Sequence, residues 1–135
     1  MLKINRSLCA LPLLPAFADV IDAEVAETGT GLDFSCGCTL NFRDPNYSAE
    51  SGGFHPVEVF LDASGVVQYI TDFAFVGRLP YVELAKELDF AFELSLFGHM
   101  GRDFPLSEGA ELFAIFQQNF VSYYQMEVFE VEVSC

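Results

Sequence analysis

The chain has 135 residues, 52% of them apolar and fifteen of them Phe, which is enough to bury a core in one domain and too apolar for disorder. Its net charge of −14, with only six Lys and Arg, argues against direct nucleic-acid binding, which needs clustered basic residues. No apolar run is long enough to span a membrane. An acidic surface keeps a protein soluble and can also attract a basic protein partner.

The N-terminal segment raises the question of export, because Ala16-Phe17-Ala18 resembles a signal-peptidase site behind a short apolar stretch. That stretch contains two prolines, however, and its apolar residues continue at helical spacing. We therefore interpret 12–28 as a helix with Pro15 in its first turn, and expect an uncleaved, cytoplasmic protein, with export as the alternative. The residues predicted to share one helix face are Leu14, Phe17, Val20, Ile21 and Val25.

The middle of the chain alternates with a period of two, which is typical of strands with one buried face. Strands are predicted over 38–43, 57–62 and 66–76, and a turn at 63–65 joins the last two into a hairpin. The 66–76 strand is apolar on both faces, so we expect it to be central and covered on both sides. Strict alternation after Glu87 predicts another strand over 84–97, and 98–105 is predicted to be a loop.

Toward the C-terminus, Ser107 is predicted to cap a second helix, and a last strand covers about 129–133. The buried stripe of this helix is predicted to contain Ala110, Phe113, Phe116, Phe120 and Tyr124. The element order is then helix, four strands, helix, strand. This order indicates a single α+β domain over 1–135, with a mostly antiparallel sheet of about five strands and two helices packed on one face.

The four cysteines do not form a recognisable metal-binding motif. Cys36 and Cys38 are spaced as C-x-C rather than C-x-x-C, and Cys9 and Cys135 lie far from them in the sequence. A zinc site would need one of these distant residues or one of only two histidines to join the pair. We therefore expect free thiols, no metal site and no cofactor.

The 41–57 loop between the first two predicted strands is the strongest candidate for a functional segment, because polar groups in a loop on a rigid scaffold often carry function. An Arg beside carboxylates can bind an anionic ligand, although it more often forms an ion pair that pins a loop. The residues of this loop that we predict to bind a ligand or partner are Arg43, Asp44, Tyr47, Glu50 and His55.

His55 is the sharper candidate, since histidine can shuttle a proton near neutral pH. Hairpin geometry brings it near the far end of the 66–76 strand, where Asp72 lies within diagonal reach. The alternative is a histidine that hydrogen-bonds a loop carbonyl and holds the turn. No nucleophile is identified, so catalytic roles stay open. The candidates are His55, Asp44, Glu50 and Asp72.

The stretch from Asn41 to Glu58, NFRDPNYSAESGGFHPVE, resembles the hallmark of a bacterial domain-of-unknown-function family numbered 2787, found mainly in marine gammaproteobacteria such as vibrios. YITDF at 69–73, LAKELDF at 84–90 and QQNF at 117–120 are similar to its later motifs. The resemblance covers the chain from about residue 11 onward and implies a small bacterial cytosolic protein. That family has no assigned activity, so no catalytic role is carried over, and the C-x-C pair departs from its pattern.

Two functions remain open. The first is a non-catalytic module that binds or inhibits a basic protein through the acidic surface and the 41–57 loop. The second is a small enzyme or ligand-binding domain, which predicts that His55, Arg43, Asp44 and Glu50 line one polar pocket. We favour the first because the second lacks a complete set of reactive groups. The oligomeric state is not predicted.

Overall fold

The computed structural model describes residues 2–135, which form one antiparallel sheet with two helices packed against it. The two helices are separated in the sequence by six strands, and a seventh strand follows the second helix. Short 3-10 turns cover Phe92–Leu94 and Leu106–Gly109. The main elements are α1 (Pro15–Glu27), β1 (Cys38–Arg43), β2 (Val57–Leu61), β3 (Val67–Arg78), β4 (Tyr81–Ala91), β5 (Leu96–His99), β6 (Arg102–Pro105), α2 (Ala110–Gln125) and β7 (Glu130–Ser134).

The sheet order is β6-β5-β4-β3-β2-β1-β7, a meander whose last strand returns after α2 to pair with β1. Both helices cover the same face of the sheet. Across the middle of that face Leu40 pairs with Val59, Val59 with Ile70, and Ile70 with Phe90, and all four side chains are fully buried. Full burial of one apolar side chain of this size stabilises the folded state by roughly 1.5–3 kcal/mol, so this row is the centre of the core.

Aromatic rings connect the helices to the sheet. Phe120 of α2 packs edge-on against Phe42 of β1, with ring centroids 4.9 Å apart, and against Phe17 of α1 at 5.5 Å. Further along α2, Phe113 packs against Phe90 of β4 at 4.9 Å. The predicted apolar faces of both helices are therefore the faces that pack on the sheet.

Gln117 ties α2 to the segment that precedes α1, although it lies in the apolar core and is fully buried. Its side-chain oxygen accepts a hydrogen bond from the backbone N–H of Leu14 at 2.8 Å. Its side-chain N–H donates to the carbonyl of Pro12 at 3.1 Å. Both polar atoms of the buried Gln117 amide are therefore paired, and the two bonds attach the segment before α1 to α2.

Gly65 holds the N-terminal segment against the turn between β2 and β3. Its carbonyl accepts a hydrogen bond from the backbone N–H of Asn5 at 2.7 Å. The backbone of Gly65 has a φ of +81°, and a Cβ at this position would lie 1.9 Å from the carbonyl oxygen of Lys3. Only glycine allows the two backbones to approach this closely.

The predicted α+β class, with two helices on one face of an antiparallel sheet, is confirmed, but the sheet has seven strands rather than about five. The predicted strand over 84–97 is wrong as a single strand. It ends at Ala91, a 3-10 turn follows, and Ser95 takes a left-handed φ of 54° before β5 begins. Phe92 and Leu94 extend the alternating sequence pattern of the strand, although the chain turns at these residues.

The predicted loop over 98–105 is instead the β5–β6 hairpin. His99 pairs with Arg102, and the two residues between them have positive φ, 50° at Met100 and 82° at Gly101. Positive φ at both central residues matches the twist of the flanking strands, which is how a two-residue hairpin closes. The glycine at 101 therefore marks a tight turn between two short strands rather than an irregular loop.

Two smaller predictions also need correction. β3 is the central strand as predicted, but helices cover only one of its faces. Ser107 does not cap α2, since it lies in the preceding 3-10 turn and Gly109 precedes the helix without a side-chain cap. A Cβ on Gly109 would lie 2.8 Å from the ring of Phe97, so close packing on the sheet accounts for the glycine there.

Within residues 2–135, no helix is both long enough and apolar enough to cross a membrane. The cysteines at 9, 36, 38 and 135 carry free thiols. Burial raises the pKa of the Cys38 thiol to about 11, which keeps it protonated and unreactive near neutral pH.

Candidate functional site

A β-bulge in β4 changes which of its side chains face the helices. Asp72 pairs with Leu88, while the next residue of β3 pairs with Lys86, so Glu87 is an extra residue in the ladder. An extra residue shifts the alternation of side chains by one. Glu87 and Leu88 consequently both border the space beneath α2, whereas Lys86 and Asp89 meet on the opposite face with 3.6 Å between Nζ and Oδ2.

His55, at the end of the 41–57 loop, brings its imidazole ring to this bulge. Its Nδ1 lies 2.9 Å from Oε2 of Glu87 and 3.6 Å from Oδ2 of Asp72. The loop end is fixed by the sheet, because the carbonyl of Pro56 accepts a hydrogen bond from the backbone N–H of Phe73 at 3.0 Å. The diagonal contact predicted between His55 and β3 is thus present, with a second carboxylate added from β4.

Asp72 is an ionisable side chain placed almost entirely inside the protein, with only 9% of it exposed. Its Oδ1 accepts a hydrogen bond from the backbone N–H of Leu88 at 2.7 Å. The pKa of Asp72 is raised to about 6, chiefly by burial and also by the nearby charge of Glu87, while the hydrogen bond from Leu88 and the proximity of His55 act in the opposite direction. A carboxyl group in this condition changes charge close to physiological pH.

The three side chains stand beside a cleft of about 350 Å³ between the sheet and α2. Its walls are mostly apolar, and Ile115 of α2 is 52% exposed there. Asn119 and Tyr123 add polar groups from the helix side. The ring of Tyr123 packs on Phe54 of the loop at 4.6 Å, which connects the loop to α2. An apolar cleft with a few convergent polar groups is the usual form of a small-ligand site.

Asp44 does not border this cleft, and its side chain instead stabilises the 41–57 loop. It is buried, its Oδ1 accepts a hydrogen bond from the backbone N–H of Asn46 at 2.8 Å, and its Oδ2 accepts one from Phe54 at 3.1 Å. These two bonds join the two ends of the loop tip. A buried carboxylate that accepts backbone hydrogen bonds on both oxygens stabilises the loop conformation.

The other predicted loop residues are spread over the surface. Arg43 is exposed and lies 3.5 Å from Glu130 of β7, so its ion pair is with another strand rather than with a loop carboxylate. The hydroxyl of Tyr47 accepts a hydrogen bond from the backbone N–H of Phe75 at 3.0 Å, and its ring packs 5.2 Å from that of His55. Glu50 is exposed at the loop tip.

The structure therefore brings together His55 and Asp72, but not the whole predicted set. Arg43, Asp44 and Tyr47 border a different depression of about 340 Å³, and Glu50 borders neither this depression nor the cleft. The expectation that His55, Arg43, Asp44 and Glu50 line one pocket is not met by these two sites.

Glu87 is the site residue that the sequence interpretation missed. Regular alternation assigns Glu87 and Leu88 to opposite faces of a strand, and only the bulge places both on the same face. The sequence signal was weak, because a Glu between a Lys and a Leu in an alternating run has no feature that marks an extra ladder residue.

On its other side the sheet is not covered by a helix, and we call this surface the helix-free face. It contains half-buried aromatic side chains among carboxylates, and a groove of about 540 Å³ crosses it. The hydroxyl of Tyr69 donates a hydrogen bond to Glu58. The residues that define this face are Asn41, Glu58, Phe60, Tyr69, Thr71, Phe73, Phe75, Leu84, Asp89, Glu130 and Glu132.

Comparisons with known proteins give a family and a fold but no activity. The family model described as "Protein of unknown function (DUF2787)" matches residues 15–134. The hypothetical protein VC0508 of the Vibrio cholerae VSP-II pathogenicity island is 29% identical, with a TM-score of 0.81 over 97% of this chain and 100% of that one. No curated protein matches the chain.

A second solved structure is that of the conserved hypothetical protein VC1805 from pathogenicity island VPI-2 of Vibrio cholerae. It is 31% identical, with a TM-score of 0.78 over 93% of this chain and 97% of that one. VC1805 is described as sharing structural homology with the human P32 protein. Both similarities extend over nearly the whole of each chain, so they concern the entire fold described above.

Proposed function

The chain belongs to the DUF2787 family of proteins of unknown function, and we propose that it is a non-catalytic module that binds a basic protein partner. The binding surface is the helix-free face together with the adjoining 41–57 loop. The observation that carries this proposal is the mixture of half-buried aromatic rings and carboxylates on a broad sheet surface that no helix covers.

Charge supports a basic partner. The chain carries −14, and the helix-free face contributes Glu58 and Glu132, while its other carboxylates, Asp89 and Glu130, lie beside Lys86 and Arg43. Complementary charge of this size speeds association and selects against acidic partners. A partner whose basic surface normally binds nucleic acid would be inhibited by such an interaction, because the carboxylates would occupy the positions of phosphate groups.

The aromatic side chains support a protein surface as the ligand. Phe73 and Leu84 border the groove on this face, and Leu84 is 48% exposed. Protein interfaces are enriched in aromatic residues at their centres and are polar at their rims. The rings also offer faces over which Lys and Arg side chains can pack, which is worth about 0.5–1 kcal/mol at an exposed site.

Affinity capture from the native bacterium, followed by binding measurements with the purified partner, tests this proposal. The double variant Glu58→Gln, Glu132→Gln removes two charges from the helix-free face. The matched control Glu108→Gln, Glu111→Gln removes two from exposed positions in the 3-10 turn before α2 and in the first turn of α2. We expect only the first pair to weaken binding and to reduce its salt dependence. Equal effects of the two pairs, or affinity unchanged in high salt, would refute the proposed surface.

The second candidate is a ligand-binding domain or small enzyme that uses the cleft beside His55. The observation in its favour is that His55, Asp72 and Glu87 meet at an apolar cleft large enough for a small molecule. The described residues that line this cleft include no Ser, Thr or Cys, so it offers no aliphatic hydroxyl or thiol nucleophile, and its one hydroxyl is the phenol of Tyr123. NMR titration with small amines and aromatic cations distinguishes the candidates, because shifts confined to the cleft amides support the second and their absence argues against it.

A further inference from the structure

We propose that His55, Asp72 and Glu87 form a binding site for one divalent first-row transition-metal ion, such as Zn²⁺ or Mn²⁺, at the edge of the cleft. The site lies on the helix-covered side of the sheet, opposite the proposed protein-binding face. It goes beyond the function proposed above, and the two share only the 41–57 loop, to which His55 belongs.

The donor atoms lie close to the spacing of a coordination shell, and both distances from His55 already match it. One atom from each of the three residues can be chosen so that all lie within 4.8 Å of one another. The Nδ1 of His55 is 2.9 Å from Oε2 of Glu87 and 3.6 Å from Oδ2 of Asp72. With metal–ligand bonds of about 2.0–2.2 Å, neighbouring ligands in tetrahedral or octahedral shells lie about 2.8–3.6 Å apart. Small side-chain adjustments are thus enough to admit an ion.

Asp72 gives further support, because its side chain is nine-tenths buried and only Oδ1 accepts a backbone hydrogen bond. The backbone N–H of Leu88 holds Oδ1 at 2.7 Å. Oδ2 lies 3.6 Å from Nδ1 of the imidazole, beyond hydrogen-bonding distance, and it is not sealed from solvent. A bound cation at this oxygen offsets the cost of holding an ionised carboxylate largely out of water. The Leu88 bond then has the role that outer hydrogen bonds have in metal sites, which is to orient a ligand.

The three ligands are held by three separate pieces of rigid backbone. Pro56, next to His55, is bonded to β3, and the carbonyl of Glu87 accepts a hydrogen bond from the backbone N–H of Met100 at 2.8 Å. The ring of Tyr47 packs against the imidazole. The bulge in β4 is needed for the site, because without it Glu87 would face the opposite side. Bulges of this kind often re-aim a side chain beside a functional site.

The donor set and the exposure of the site define the class of ion. One imidazole nitrogen and two carboxylate oxygens suit Zn²⁺, Mn²⁺ or Fe²⁺ better than Mg²⁺ or Ca²⁺, which prefer oxygen ligands alone. His55 is 37% exposed and Glu87 29%, on the cleft side. With three protein ligands, the remaining coordination positions of the ion face the cleft and leave room for water or for a group of a bound ligand. Catalytic metal sites keep such an open position, whereas structural metal sites do not.

The experiment is titration of the chelator-treated full chain with Zn²⁺ by calorimetry and with Mn²⁺ by electron paramagnetic resonance. We expect one ion per chain, with Mg²⁺ in excess failing to compete. Asp72→Asn and Glu87→Gln keep the size of each side chain and remove its charge, and each is expected to weaken binding by about 100-fold or more, beyond the 10–100-fold typical of an outer-shell partner. Circular dichroism of both variants establishes that they are folded.

Two control variants exclude other ligands. His99→Gln removes the other histidine, and Cys36→Ser removes an exposed thiol able to bind Zn²⁺. Neither is expected to change Mn²⁺ affinity. The proposal is overturned if binding of both ions is weaker than about 1 mM, which corresponds to only about 4 kcal/mol. It is also overturned if Asp72→Asn and Glu87→Gln bind like the wild type, or if the controls lose as much affinity as they do.

Discussion

Replacing Asp72 by Asn is expected to stabilise the metal-free protein at neutral pH. Burial raises the pKa of Asp72 to about 6 in the folded protein, from an ordinary value of 3.8. This difference of about 2 units corresponds to roughly 3 kcal/mol, at 1.36 kcal/mol per unit. Because burial is the largest cause, that free energy is the cost of holding an ionised carboxylate out of water.

The sign of the pH dependence follows from which state binds the proton more tightly. The pKa of this carboxyl is higher in the folded state, so between about pH 4 and pH 6 the folded state holds more protons than the unfolded state. Stability contributed by this residue is therefore greatest below the unfolded pKa, falls as the pH rises through this window, and stays low above pH 6. Asn carries no charge at any of these values and avoids the loss, while its side-chain oxygen can still accept the Leu88 hydrogen bond.

The assay is urea unfolding in the presence of a chelator at pH 4 and pH 7.5. We expect Asp72→Asn to exceed the wild type by about 2–3 kcal/mol at pH 7.5 and to match it within about 0.5 kcal/mol at pH 4. Asp103→Asn removes the same charge from an exposed position and controls for relief of general acidic repulsion. The reasoning is refuted if Asp72→Asn is less stable than the wild type at pH 7.5, since the ionised carboxylate would then stabilise the fold.

The remaining predictions concern contacts outside the cleft. Gln117→Leu removes the partner of two part-buried backbone groups, and we expect urea unfolding to show a loss of about 1–3 kcal/mol; no loss would mean that water replaces the amide. Asp44→Ala removes two hydrogen bonds from the 41–57 loop, so limited proteolysis should cut the loop faster than in Glu50→Ala, and equal rates would contradict the pinning role. Gly65→Ala combines a positive φ with a backbone clash and should lower stability by at least about 2 kcal/mol. Gly31 has a similar φ but lies in open space, so Gly31→Ala should cost about 1 kcal/mol. Similar thermal midpoints for the two variants would count against the clash.

A residue that serves binding rather than folding can lower the stability of the folded protein. An ionised Asp72 is such a residue, because Asn would accept the same Leu88 hydrogen bond without the cost of burying a charge. Asp44 is the contrast within the same region, since both of its oxygens accept backbone hydrogen bonds. The two aspartates were equal candidates in the sequence, and only their partners in space separate a loop-pinning carboxylate from one available to a ligand.

Periodicity determined much of the fold. The helical spacing of Phe17, Ile21 and Val25 and of Phe113 and Phe120 predicted both helices and the faces they bury. Alternation predicted β1, β2, β3 and β7 and the antiparallel α+β class. These predictions hold because burial acts along each element separately, so the pattern of apolar residues within one helix or strand is enough to reveal it.

What alternation did not reveal is where a strand stops or shifts. The break after Ala91, the tight turn at Met100 and Gly101, and the extra residue at Glu87 depend on backbone conformations that the apolar pattern does not encode. Those features added two strands to the prediction and moved one glutamate to the other face. Their stability comes from pairing with neighbouring strands, and so from contacts between distant parts of the chain.

The sequence by itself determined the acidic character of the protein, its two helices, its antiparallel sheet and the importance of His55 as a residue to follow. The tertiary structure alone decided which groups meet His55, because Asp72 and Glu87 come from different strands and reach it through strand register and a bulge. It also decided that one face of the sheet has no helical cover. Register and layer packing are set by the free energy of the whole core, which is why a local pattern of residues could not specify them.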